Sequence, residues 1–345
     1  MLHLNSQTRG KWVSNANVSR AVMTLLRLGV GVGLLWYLVQ SRIIDLHALS
    51  RLAGRWPISV AALTIFVLDF ALMAWRLCLL LRPQGMRLPF RTSLELTLVS
   101  SFFATFLPGR AGGDFARIYY ATKENREQRP EIVTVLVLDR GIGLFSLLLL
   151  PLFVAPLFQE ALRIRVVRIL LATSASLALG MLGLFLIFLV TPALMERLAD
   201  GPLRFLRWRG VLRRCLDTIG AYSRNLGTLA AALGIAIADN LMVVAVTALA
   251  VLAINPAELS AKLCLVVPMG EIVNSLPVTP GGLGVGEAAF DALFKTVGLQ
   301  GGAEAVLCWR IWNVLASLLG LPFYLRGFKA PVFAEDCPAR NLASE

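Results

Sequence analysis

Residues 275–291 read SLPVTPGGLGVGEAAFD, and this stretch decides how the chain is organised. Pro277 and Pro280 remove backbone donors, while Gly281, Gly282, Gly284 and Gly286 favour open or left-handed backbone, so a continuous helix fits poorly. The flanks are apolar: AKLCLVVPMGEIVNS before the stretch (Ala261–Ser275) and VGEAAFDALFKTV after it (Val285–Val297). Each flank is shorter than the ~20 residues a helix needs to cross a bilayer. Irregular backbone at that depth must be covered by protein or line a polar cavity. The expected structure is two half-helices meeting at a Pro/Gly break, an element on which transporters build substrate sites.

A weaker copy lies upstream. Residues 97–116, TLVSSFFATFLPGRAGGDFA, stay apolar up to Pro108 and Gly109. They then pass Arg110 and the Gly112–Gly113 pair, meet an acid at Asp114 and resume as a helix. Other features recur at a fixed spacing: Asp69 and Asp239 are 170 residues apart, and so are Arg140 and Arg310. Each half reads as a helix with an internal Asp, a break with an acid, and a helix with an internal Arg. The chain is expected to be one membrane domain over 1–345, built from repeat halves at 20–157 and 167–326.

Composition agrees with the class. The chain is 57% hydrophobic and 16% charged, with mean hydropathy +0.72, against about 25% charged for a soluble domain. The fold class is an all-α polytopic membrane protein. It has about six full transmembrane helices plus two broken re-entrant hairpins, arranged as an inverted repeat. The full spans are read at 21–39, 57–81, 132–157, 167–192, 228–252 and 303–325. The first is taken as an uncleaved anchor, since no A-x-A-like cleavage site follows it. Between the halves, 193–226 alternates seven arginines with Leu, Phe and Trp208. It reads as a basic amphipathic cytoplasmic linker, serving either anionic head groups or topology alone.

Counting Lys and Arg orients the chain. With the N-terminus inside, segments 1–20, 82–92, 117–130, 193–226 and 326–345 carry 20 basic residues, and the outer segments 40–56, 158–166 and 253–302 carry 7. Positive charge gathers on the cytoplasmic side, so both termini are expected there. Each half then has three crossings, and an odd number inverts the second half relative to the first. The net charge of +12 is read as this loop bias rather than as a nucleic-acid footprint. Five scattered cysteines form no CxxC, and the two histidines, His3 and His47, are far apart. No metal or cofactor is expected.

Charges inside apolar spans mark the candidate site. Asp69, Arg76, Asp139, Arg140, Asp239, Glu271, Glu287 and Arg310 all have hydrophobic neighbours. Each costs about 2.5–3.5 kcal/mol at a helix centre, so each faces the bundle interior or a wet cavity. Arginine's planar fork suits phosphate, and Arg140 and Arg310 are the expected phosphate holders. Asp69 and Arg76, seven residues apart, share a helical face. The substrate-binding set comprises Asp69, Arg76, Arg110, Gly112, Gly113, Asp114, Arg140, Asp239, Pro280, Gly281, Gly282, Glu287 and Arg310. The competing reading of these charges is ion pairs that only fix helix packing. No P-loop, HExxH or G-x-S-x-G is present, so no catalytic residue is assigned.

Three motifs carry a resemblance: LPGRAGGDFARIYYATK at 107–123, LDRGIGL at 138–144 and, most specifically, LPVTPGGLGVGEAAF at 276–290. They resemble the transmembrane region of lysylphosphatidylglycerol synthases, a flippase-like family, over roughly residues 20–328. The resemblance implies a bacterial inner-membrane protein that moves a polar (phospho)lipid head group between leaflets, aminoacylated phosphatidylglycerol being one substrate. The chain stops about 20 residues after the last span, with no appended aminoacyl-transferase domain, which argues against lipid aminoacylation. Two other readings stay open: a membrane-embedded transferase acting on a lipid or lipid-linked sugar, and a non-transporting accessory of a separate lipid-modifying enzyme. A phospholipid or other polar lipid is the expected partner, nucleic acid is not, and a homo-oligomer is left open.

Overall fold

The computed structural model describes residues 54–106, 111–190, 209–275, 285–328 and 333–335. The span read at 21–39, the basic residues 193–208 and the cores of both Pro/Gly breaks lie outside these residues. So do the site candidates Arg110, Pro280, Gly281 and Gly282.

The first half contains α1 (Trp56–Leu81), α2 (Phe90–Phe106), α3 (Ala111–Lys123) and α4 (Arg129–Val154). A turn at Gln159–Leu162 leads to α5 (Arg165–Val190). After α6 (Arg209–Ser223) come α7 (Leu226–Ile254), α8 (Leu263–Asn274), α9 (Val285–Thr296), α10 (Gly302–Ser317) and α11 (Gly320–Leu325). Pro near the first position opens both α1 and α4, where its missing N–H costs nothing. Five segments are long and apolar enough to cross a membrane: Trp56–Gln84, Arg129–Leu157, Arg165–Ile187, Leu226–Ile254 and Gly302–Leu325. In lipid the backbone must satisfy its own hydrogen bonds, and helices do so within one segment. The protein is an all-α, multi-pass membrane protein.

The two halves use the same order of elements. Helices α7, α8, α9 and α10 start 170, 173, 174 and 173 residues after α1, α2, α3 and α4. Their packing matches too. α1 packs on α2, α2 on α3, α3 on α4 and α1 on α4; α7 packs on α8, α8 on α9, α9 on α10 and α7 on α10. Across the halves α1 meets α7, α4 meets α7 as α10 meets α1, and α4 meets α8 as α10 and α11 meet α2. The main core lies on this seam, where Phe66, Phe70, Phe290, Phe294, Trp309 and Trp312 are buried. The Phe66 and Trp309 rings sit 5.9 Å apart.

The structure departs from the sequence reading in four places. The last span, Gly302–Leu325, has a tightened turn at Leu318–Leu319 between α10 and α11; α11 lies against α2, where a Cβ at Gly320 would overlap the Leu98 carbonyl oxygen. The described part of the basic linker, α6, does not lie free on a surface. Arg214 Nη1 donates to the Glu127 carbonyl at 2.9 Å, Gln84 Nε2 donates to the Thr218 carbonyl at 2.8 Å, and the buried Tyr222 hydroxyl donates to the Leu80 carbonyl. Burial pushes the Tyr222 phenol above its ordinary value, which keeps it a donor. In the tail, Ala334–Glu335 pairs antiparallel with Met86–Arg87 and Phe333 is buried, although the segment reads as plain polar sequence. Finally, Arg117 belongs to a buried face of α3 rather than to a loop. Removing it from the inner count leaves 19 basic residues against 7, so the bias keeps its direction.

Candidate functional site

A cavity of about 250 Å³ lies where the halves meet. Its wall takes Asp69 and Arg76 from α1, Ser100, Ala104 and Thr105 from α2, and Gly113, Asp114 and Arg117 from α3. Asp139 and Arg140 come from α4, Asp239 and Asn240 from α7, Asn274 and the next residue Ser275 from the end of α8, and Trp309, Arg310 and Asn313 from α10. Both helix ends that flank the first break, and the α8 end before the second, therefore reach one space.

The hub of the cavity is Asp139, 2% exposed. It accepts from Arg76 Nε at 2.6 Å and from Arg117 Nη1 at 2.8 Å, so its two oxygens hold two buried arginines. Arg76 also lies 3.7 Å, through Nη1, from Asp239, and Asp69 is within its electrostatic reach. Two further pairs stand at the breaks. Arg140 Nε lies 3.4 Å from Asp114 Oδ2, both side chains a little over a third exposed. Arg310 Nη2 lies 3.2 Å from Glu287 Oε1, both largely buried. At such pairs a buried charge is affordable only because its partner and further hydrogen bonds compensate desolvation.

Backbone approach explains two glycines. A Cβ on Gly113 would stand 2.7 Å from both the Ala104 Cβ and the Ser100 carbonyl oxygen, so α2 and α3 pack this closely only with glycine there. A Cβ on Gly286 would stand 2.7 Å from Asn274 Oδ1 and 3.1 Å from Arg310 Nη2, at the start of α9. Ser100 and Thr105 keep the α2 wall polar, and Thr105 Oγ1 shares a 3.0 Å hydrogen bond with Ser317 Oγ. Asn240 donates to Ser146 Oγ at 2.7 Å.

Of the residues singled out from the sequence, Asp69, Arg76, Gly113, Asp114, Arg140, Asp239 and Arg310 line this cavity. Glu287 stands behind the wall as the partner of Arg310. Gly112 is buried but does not line it. Arg110, Pro280, Gly281 and Gly282 lie outside the described residues. Sequence reasoning left Arg117, Ser100, Asn240, Asn274, Trp309 and Asn313 out of the set. It counted Asp139 among the intramembrane charges without seeing that it is the hub. Arg117 carried a signal: it sits four residues after Gly113, one turn along the same helix.

No curated protein and no solved structure matches the chain. The family described as the lysylphosphatidylglycerol synthase TM region matches residues 24–320, which cover both breaks, every helix that lines the cavity and most of the sequence. The chain belongs to the lysylphosphatidylglycerol synthase transmembrane-region family.

Proposed function

We propose that this protein moves lipids with a polar, phosphate-bearing head group between the leaflets of a bacterial cytoplasmic membrane. The head group travels through the charged cavity while the acyl chains stay in the bilayer. One observation carries this reading: four arginines and four aspartates, drawn from both halves, line a single cavity among membrane-spanning helices. Charges at that depth are expensive and gather where a polar path exists. A volume of about 250 Å³ is below the roughly 300–1,000 Å³ that encloses a drug-sized ligand. It suits a head group rather than a whole lipid. Both signs of charge in one space suit an anionic or zwitterionic amphiphile.

The matched helix starts and matched packing pairs support reading the halves as a repeat. With three crossings each, the second half is inverted, the breaks enter from opposite faces, and both termini lie in the cytoplasm. Movement is then an exchange of access to the cavity between the two faces.

The test is reconstitution into liposomes that carry fluorescent phosphatidylglycerol, or a fluorescent diacylglycerol lacking phosphate, with an impermeant quencher added outside. The expected result is that protein exposes the inner-leaflet phospholipid to the quencher. Inner-leaflet phospholipid that stays protected, in vesicles shown to contain folded protein, would overturn the reading.

A further inference from the structure

We infer that Arg117 binds the oxyanion of the ligand directly, through one edge of its guanidinium group. The inference rests on the reading of the cavity as a head-group site and deepens it by naming the ligand atom and the residue that takes it.

Arg117 is 6% exposed and lines the cavity. Its Nη1 is spent on Asp139 Oδ2, at 2.8 Å. Its Nε and Nη2 are buried and have no hydrogen-bond partner among the described residues. These two nitrogens are not a random remainder. In a planar guanidinium, Nε–H and the Nη2 amino group form the side-on edge, two parallel donors spaced to meet two oxygens of a phosphate or carboxylate. Asp139 thus fixes the plane of the group through the other nitrogen and leaves a complete bidentate fork unused.

Leaving such a fork empty is costly. Buried polar groups are nearly always paired, and an unmade hydrogen bond from a charged donor forfeits more than a made one gains. Of the acids beside it, Asp139 already serves two arginines and Asp114 stands against Arg140. In the second half the counterpart of Asp114, 173 residues on, is Glu287. There the acid stands against its own half's Arg310. At the same 173-residue offset Arg117 meets Phe290, so at this place only the first half presents a cation.

The ligand chemistry that fits is an oxyanion with two oxygens in one plane. A phosphodiester is the form a lipid would bring, and free phosphate or a carboxylate shares the chemistry. Both donor atoms are sealed from solvent in this conformation. Binding at the fork therefore requires the wall around Arg117 to open.

The test measures ligand-induced thermal stabilisation of the full chain in neutral detergent. The probes are short-chain phosphatidylglycerol, inorganic phosphate and short-chain diacylglycerol. Arg117→Lys keeps the charge facing Asp139 and removes the side-on edge, and Arg117→Gln keeps a polar side chain if the Lys variant fails to give a single folded species. The expected result is that wild type binds phosphatidylglycerol, the variant binds it roughly tenfold to a hundredfold more weakly, and diacylglycerol affinity is the same in both. Equal phosphatidylglycerol affinity in wild type and variant would overturn the role of Arg117 and leave the lipid reading standing. Equal wild-type affinity for phosphatidylglycerol and diacylglycerol would overturn the oxyanion while keeping a lipid. Stabilisation by inorganic phosphate alone, lost in the variant, would uphold the fork and overturn the lipid. No stabilisation of wild type by any probe would overturn both.

Discussion

Asp139→Ala is the perturbation whose magnitude the structure specifies best. The carboxylate is 2% exposed and accepts from Arg76 at 2.6 Å and Arg117 at 2.8 Å. Removing it leaves one buried guanidinium facing Asp239 at 3.7 Å and the more distant Asp69 and strips the other of the single acceptor described for it. Breaking a buried pair costs about 3–5 kcal/mol, because a charge is left uncompensated where water does not reach. At a few degrees per kcal/mol that is a loss on the order of 10 °C in melting temperature. The comparison is Arg140→Ala. Its pair with Asp114 is looser, 3.4 Å, with both side chains over a third exposed. Such a pair is worth ~0–1 kcal/mol, so melting should move by a few degrees at most. The assay is thermal unfolding of both variants in one detergent, followed by size-exclusion chromatography. Similar small shifts for the two variants would refute the reasoning that Asp139 is the electrostatic hub.

Other outcomes follow from the same geometry. Gly113→Ala forces α2 and α3 apart and should cost about 1–3 kcal/mol. Gly141→Ala, whose Cβ would meet nothing within 4 Å, should be neutral or slightly stabilising, and thermal unfolding separates the two. Arg310→Lys and Arg140→Lys keep the charge but lose the planar fork. Each should slow lipid movement in liposomes with melting little changed, and wild-type rates in both would remove these residues from the path. Cysteine labelling at position 205, in a background without native cysteines, should occur only from the cytoplasmic face. Labelling from the opposite face would overturn the topology and the inverted repeat with it.

Much of the membrane architecture was legible because bilayer crossing imposes a long apolar run. α1, α4, α5 and α7 follow the expected spans to within a few residues. Four cavity charges were legible because Asp69, Asp239, Arg140 and Arg310 are conspicuous against apolar neighbours. Pairing was not legible. Arg117 meets Asp139 across 22 residues and Arg76 meets it across 63, and such distances are set by how α1, α3 and α4 pack, which no local pattern records. Arg117 misled the topology count for a related reason, since an arginine in a short helix beside a loop reads the same whether it faces water or a buried acid. The turn inside the last span was hidden because Leu318–Leu319 is as apolar as its surroundings.

The most direct measurement places bulk inside the cavity and outside it on one helix. Asn313 lines the cavity, whereas Leu315, two residues on along α10, is exposed on the outer face. Lipid movement is measured in liposomes for wild type, Asn313→Trp and Leu315→Trp, at matched amounts of folded protein. If the head group passes through this cavity, Asn313→Trp abolishes movement, while Leu315→Trp, whose indole faces lipid, retains it. Wild-type movement by Asn313→Trp would contradict the account, because the path would then lie elsewhere in the protein.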